Sequence, residues 1–76
     1  MKTIKILTLK HNGRNFKIKV YKTNSPSNYN LFASVFQIGD KIPLIGKTFK
    51  ETALNNDIKL WACLALDWPD MELLLH

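Results

Sequence analysis

Alternating hydrophobic and polar residues predict a β-hairpin at the start of the chain. Residues 3–10, TIKILTLK, are rich in β-branched side chains, and residues 15–22, NFKIKVYK, alternate strictly between apolar and polar. Between them lies Asn12-Gly13, a pair that tolerates the positive φ angles of a type I′ turn. The pattern therefore predicts two antiparallel strands joined by a two-residue loop.

That loop also fixes which residues of the two strands face each other. Counting back from it predicts the pairs His11 with Arg14, Leu9 with Phe16, Leu7 with Ile18 and Lys5 with Val20. The predicted core face carries Leu7, Leu9, Phe16, Ile18 and Val20. The opposite face carries Ile4, Ile6, Thr8, Lys10, Lys17, Lys19 and Tyr21, so it is basic without being wholly polar.

The middle of the chain predicts a loop and one or two further strands. Residues 23–30 are rich in Ser, Asn and Pro, which are typical of a loop. Residues 31–38 form a third strand whose apolar side chains fall on both faces, so either both faces are buried or the register is ambiguous. A turn at 39–41 precedes a short fourth strand at 42–45, which Pro43 would confine to a sheet edge.

The last third of the chain predicts a helix. Thr48 and Glu51 have capping-box spacing, which predicts a helix over 49–67 that Pro69 ends. Residues 69–76 are consistent with a last short turn of helix. The predicted inner stripe is Phe49, Ala53, Ile58, Trp61, Leu64 and Ala65, widened by Leu54, Leu60 and Leu66.

These elements predict one small α+β domain over residues 1–76. Three or four antiparallel strands form a meander, and one long helix packs on one face in the order β-β-β-(β)-α. The lysine-rich N-terminus lacks a signal-peptide core, and no apolar run reaches the ~18 residues of a membrane span. With a single cysteine, Cys63, the chain has no internal disulfide, and we expect a cytoplasmic protein without membrane contact.

Charge is divided unequally along the chain. Residues 1–39 contain seven cations and no acid, whereas residues 40–76 contain four cations and six acids, which together give the net charge of +5. This division favours a positive surface that faces an anionic partner. A solvated strand face without a partner explains the same lysines equally simply.

Catalytic chemistry finds little support in the sequence. Cys63 lies in an apolar helical run, which is typical of a core filler, and the two histidines are far apart in sequence. The carboxylates of Asp67, Asp70 and Glu72 are more typical of a solvated helix end than of acid–base catalysis. We therefore predict that the protein is not an enzyme and has no catalytic residue, metal site or cofactor.

Two surfaces are candidates for binding. The first would contact nucleic-acid phosphates or an acidic partner, with one aromatic ring available to stack on a base, through Lys10, Arg14, Lys17, Lys19 and Tyr21. Cross-strand packing on Ile4 is the alternative role for that tyrosine. The second would be a protein interface, formed by Ile4, Ile6, Trp68, Met71, Leu73, Leu74 and Leu75. Core packing is an equally good explanation for the C-terminal members of this set.

The segment from Gly46 to Asn56 resembles the signature of HicB-like antitoxin domains. In that family a Gly-x-Thr-x-x-Glu-Ala-Leu-x-Asn run joins the last strand to the first long helix, and here Thr52 replaces the alanine. The resemblance covers most of residues 16–66 and implies a partial ribonuclease-H-like β-β-β-α domain without nuclease activity. It further implies that the domain oligomerises and binds a small partner protein.

Two functions follow as expectations. The first is a small non-enzymatic protein-binding domain of the antitoxin or inhibitor type, acting as a homo-oligomer. The alternative is a basic nucleic-acid-binding domain that uses the N-terminal hairpin, or a small inhibitor of a nucleic-acid-processing complex.

Overall fold

The computed structural model describes residues 2–68, which form a four-stranded antiparallel sheet and one helix. The elements are β1 (Lys2–His11), β2 (Arg14–Lys22), β3 (Leu31–Gln37), β4 (Ile45–Phe49) and α1 (Asn55–Asp67). The strands lie side by side in the order β1-β2-β3-β4, so each pairs with its neighbour in sequence. The predicted α+β fold, a β-meander followed by one helix packed on it, is confirmed.

The β1–β2 hairpin follows from its two loop residues. Asn12 has a φ of 51° and Gly13 a φ of 76°, so both central residues have the positive φ that a type I′ turn needs. The predicted facing pairs, from His11 with Arg14 back to Lys5 with Val20, are all present. Local turn chemistry therefore sets the register of the first two strands.

One predicted contact of this hairpin is wrong. The facing pairs run from Lys5 with Val20 directly to Thr3 with Tyr21, which leaves Ile4 in a β-bulge. The extra residue shifts the start of β1 by one position, so Tyr21 lies opposite Thr3 rather than Ile4.

Strand β3 is buried on both faces, which resolves the ambiguity of its sequence pattern. Leu31, Ala33 and Val35 belong to the core beneath the helix, while Ser34 and Phe36 are buried on the other side of the sheet. The strand lies between β2 and β4, so neighbouring side chains cover it from both directions.

The fourth strand lies later in the chain than predicted. It covers Ile45–Phe49 rather than 42–45, although it does occupy a sheet edge as expected. Pro43 has no N–H to donate to a ladder, and hydrogen bonding to β3 begins after it, where the Leu44 N–H donates to the Val35 carbonyl at 2.8 Å.

The predicted start of the helix and its Thr48–Glu51 capping box are wrong. Thr48 lies in β4 opposite Phe32, and the helix begins at Asn55 with Leu54 as its N-cap residue. Leucine has no side-chain acceptor, so only half of a capping box forms, in which the Leu54 N–H donates to the Asp57 carboxylate at 3.4 Å.

Helix α1 buries one narrow stripe against the sheet. Ile58, Ala62 and Ala65 are its buried residues, and alanine at two of these three positions lets the helix lie close to the strands. Of the predicted stripe, Ile58 and Ala65 are buried, and Phe49, Ala53 and Trp61 are partly buried around the core. The prediction missed Ala62 and was wrong in placing inward three residues that the structure exposes, Leu54, Leu60 and Leu64.

The helix lies along β1 and runs in the same direction. Near its start the Lys5 ammonium donates to the Asn55 amide oxygen at 2.5 Å, and at its end His11 Nε2 donates to Asp67 Oδ1 at 2.7 Å. Six residues of strand and twelve of helix each span roughly 18–20 Å, so the two elements match in length. The helix ends at Asp67, as Pro69 predicted, and the predicted helical turn at 69–76 lies outside the described residues.

Candidate functional site

The sheet surface opposite α1, called the open face here, has no helix over it in the described part of the chain. By strand register it carries three lysines and three aromatic rings: Lys10, Lys17, Lys19, Tyr21, Phe32 and Phe36. The four strands contain no Asp or Glu. The open face is therefore positively charged, and no strand residue supplies a carboxylate to neutralise it.

Phe36 holds two of the lysines in place. The Lys19 ammonium lies 5.2 Å from the centre of the Phe36 ring and the Lys17 ammonium 5.7 Å from it. The ring is only 6% exposed, while both lysines are half-buried. Their aliphatic stems cover the ring, and the attraction of each cation to its face fixes two neighbouring positive charges on the surface.

Phe32 and Tyr21 face each other across β2 and β3 on the same surface. The expectation of a single aromatic residue on this face was therefore wrong. Residues 32, 34 and 36 alternate along β3, so Phe32 and Phe36 share one face once the register is known. The spacing of Phe32 and Phe36 was visible in the sequence, but the mixed apolar pattern of β3 did not indicate which face of the sheet the two rings would share.

The predicted phosphate-contacting residues do not all come together. Lys10, Lys17, Lys19 and Tyr21 lie on the open face, where the hairpin register was expected to put them. Arg14 faces His11 on the helix side of the sheet. It borders a separate groove beside Leu66 of α1, so it does not belong to the same surface.

No protein-family model, curated protein or solved structure matches this chain.

The predicted protein-interface residues are divided between two places. Ile4 and Ile6 are about half exposed at the β1 edge. Trp68 is 54% exposed just after the helix, and Met71 and Leu73–Leu75 lie outside the described residues. The sequence pattern missed Leu60 and Leu64, which are 60% and 40% exposed and align with Trp68 at four-residue spacing.

Of the groups considered for catalysis, the structure brings His11 and Asp67 together. Asp67 accepts hydrogen bonds from His11 at 2.7 Å and from the Asn12 amide at 3.4 Å, which ties the hairpin end to the helix end. Cys63 is a half-buried free thiol on α1, and Asp70 and Glu72 lie outside the described residues. Within residues 2–68, no three His, Cys, Asp or Glu side chains are grouped as a metal would need.

Helix α1 has 13 residues, and in the part of the chain that the structure describes no helix has the length and hydrophobicity for crossing a bilayer.

Proposed function

We propose that the protein is a non-enzymatic nucleic-acid-binding domain that binds through its open face. The observation that carries this proposal is the grouping of Lys10, Lys17 and Lys19 with aromatic rings on one uncovered sheet surface. Nucleic-acid affinity comes largely from neutralising phosphates with lysine and arginine, and this surface supplies three such charges without a strand carboxylate beside them.

The aromatic rings favour a nucleic acid over an acidic protein as the partner. Tyr21 and Phe32 lie next to the lysines and are both partly exposed, so a flat base can reach them. Sheet surfaces that combine cations with aromatic side chains bind single-stranded RNA or DNA by stacking bases while the cations follow the backbone. An acidic protein surface would satisfy the lysines but would have no specific use for the rings.

The direct test is a titration of labelled single-stranded RNA and duplex DNA, followed by fluorescence anisotropy at several salt concentrations. For three phosphate contacts on a single strand, we expect log K to fall with log salt at a slope of about −2. Affinity should then drop roughly twentyfold between 50 and 200 mM salt. Absence of binding at low salt, or binding unaffected by salt, would contradict the proposal.

A protein-binding domain of the antitoxin or inhibitor type is the second candidate. The helix supports it, because Leu60, Leu64 and Trp68 form an exposed apolar stripe along its outer side. Such stripes are typical of interfaces, and the resemblance of Gly46 to Asn56 to HicB-like domains implies a homo-oligomer with a protein partner. This function uses the side of the domain opposite the open face.

For this candidate we expect a Leu64→Ser, Trp68→Ala variant to be monomeric under conditions in which the wild type associates. Both side chains are at least 40% exposed, so the variant should keep the wild-type circular dichroism spectrum. The control is Ile42→Ser, which removes a 78% exposed apolar side chain in a loop far from the helix in sequence. Light scattering that finds the variant as associated as the wild type would rule the stripe out.

A further inference from the structure

A groove lies at the β4 side of the open face. Its volume is about 230 Å³, and it is lined by Phe32, Ser34, Pro43, Leu44, Ile45 and Gly46. It combines an aromatic ring, an apolar wall and one hydroxyl group. None of the candidate phosphate contacts lines it, so the lysine surface alone does not explain it.

Gly46 shapes the floor of this groove. A Cβ at this position would lie 2.7 Å from Cζ of Phe32, closer than two non-bonded carbon atoms can approach. The missing side chain therefore lets the phenylalanine ring lean across β4 along the surface of the sheet. Phe32 is only partly buried, so the ring keeps area available for stacking.

Ser34 supplies the polar group of the groove. Ser34 is only 5% exposed as a whole residue, and it belongs to the wall of the groove. A hydroxyl at the wall of an open groove can exchange a hydrogen bond with water for one with a bound group, at a modest net gain in free energy. The hydroxyl can donate one hydrogen bond and accept others, which suits the mixed donor and acceptor edge of a nucleobase.

The groove is also next to the lysine surface. Ser34 lies directly opposite Lys19 on the neighbouring strand, and Lys19 is one of the two lysines held over Phe36. A nucleotide with its base in the groove therefore has a cation on the adjacent strand for its phosphate.

We propose that this groove binds a single unpaired nucleobase, stacked on Phe32 and hydrogen-bonded to the Ser34 hydroxyl, with the neighbouring phosphate at Lys19. The proposal rests on the proposed nucleic-acid-binding function and adds its substrate class. Because a base in a duplex has both its stacking faces and its pairing edge occupied, the groove selects single strands.

The test compares three polymers of equal length: a single-stranded DNA, the same strand with abasic sites, and the duplex. The abasic strand keeps the phosphates and removes the bases. A stacked base contributes enough affinity that we expect abasic and duplex DNA to bind at least about tenfold more weakly than the intact strand. Equal binding of intact and abasic strands, with normal salt dependence, overturns the groove proposal and leaves the proposed function standing.

Two variants locate the effect in the groove. Ser34→Ala removes one hydroxyl from the groove and leaves the backbone pairing of β3 with β4 unchanged, so the fold should persist, and Gly46→Ala displaces the Phe32 ring. We expect each to weaken binding of the intact strand several-fold and to leave binding of the abasic strand unchanged. Ser27→Ala, in the exposed loop before β3, is the control.

Thermal unfolding shows whether Gly46→Ala still folds. If it does not, the groove proposal is tested by the affinity of Ser34→Ala and by the comparison of intact with abasic strands. Wild-type affinity of Ser34→Ala for the intact strand overturns the groove proposal. A wild-type protein that binds none of the three polymers at low salt overturns the proposed function as well.

Discussion

Replacing Lys17 and Lys19 together with methionine is expected to lower the affinity for single-stranded RNA roughly 25-fold at 0.1 M salt. The reason is that each phosphate contact on a single strand adds about 0.7 to the slope of log K against log salt concentration, and two contacts are lost. The slope itself should become shallower by about 1.4. Methionine keeps an unbranched apolar stem over the Phe36 ring, so the change removes charge while preserving the packing.

The matched control is the double replacement of Lys22 and Lys47 by methionine. Both lysines lie on the helix side of the sheet, and the Lys47 ammonium also lies over an aromatic ring, 5.7 Å from the centre of Phe49. The control makes the same change in net charge and disturbs a similar contact. Anisotropy titrations should show nearly wild-type affinity for it. An equal loss in both variants would mean that net charge, rather than the open face, determines binding.

The second large effect is expected from Ile58→Ala in the helix. Ile58 is fully buried between α1 and the sheet, and removing such a side chain leaves a cavity that costs about 2–5 kcal/mol. A domain of this size has a total free energy of unfolding of only about 5 kcal/mol. We therefore expect about 0–3 kcal/mol of stability to remain, so that at the largest cost about half of the protein is unfolded at 25 °C and its nucleic-acid binding falls in proportion.

Leu60→Ala is the control for this effect, since it removes an isomeric side chain of the same size, two residues away, that is 60% exposed. Its cost should stay below about 1 kcal/mol, because most of that side chain is already in water. Urea unfolding monitored by circular dichroism measures both values. Similar losses for the two variants would contradict the observed orientation of α1 on the sheet.

The sequence determined those features that depend on neighbouring residues. The Asn12-Gly13 loop was sufficient to set the turn type and the register of β1 and β2, because positive φ at both positions leaves one hairpin geometry. Alternation along β2 then fixed which side chains enter the core and put Lys17 and Lys19 together on the other side. The end of the helix was equally local, since Pro69 cannot follow a helical residue without strain.

The bulge at Ile4 marks the limit of that local information. Strict counting from the loop pairs Ile4 with Tyr21, and the part of β1 nearest the loop, from His11 back to Lys5, follows this count. Nothing in the alternation of residues 3–10 indicates that one residue will be left unpaired. The pairing of Tyr21 with Thr3 is therefore visible only once both strands are in place.

Tertiary structure decided the features for which the local sequence allowed two alternatives. Thr48 to Glu51 has the spacing of a helix start, yet pairing with β3 satisfies the backbone of Thr48 and Phe49 as a strand, and the helix begins later. The helix is apolar around much of its surface, so its sequence did not specify which side would face the sheet. Close packing selected Ala62 and Ala65 over the bulkier Leu60 and Leu64, because a small residue lets the helix approach the strands.

The candidate site depends on both kinds of information. Its lysines were predictable from strand alternation, because period-two patterning is a property of each strand alone. Its rings and groove were not, because Phe32, Ser34 and Gly46 come together only when β3 lies between β2 and β4. Strand alternation alone determined the lysines of the surface. The aromatic groove was decided by the pairing of strands that are distant in sequence, because β3 is buried on both faces.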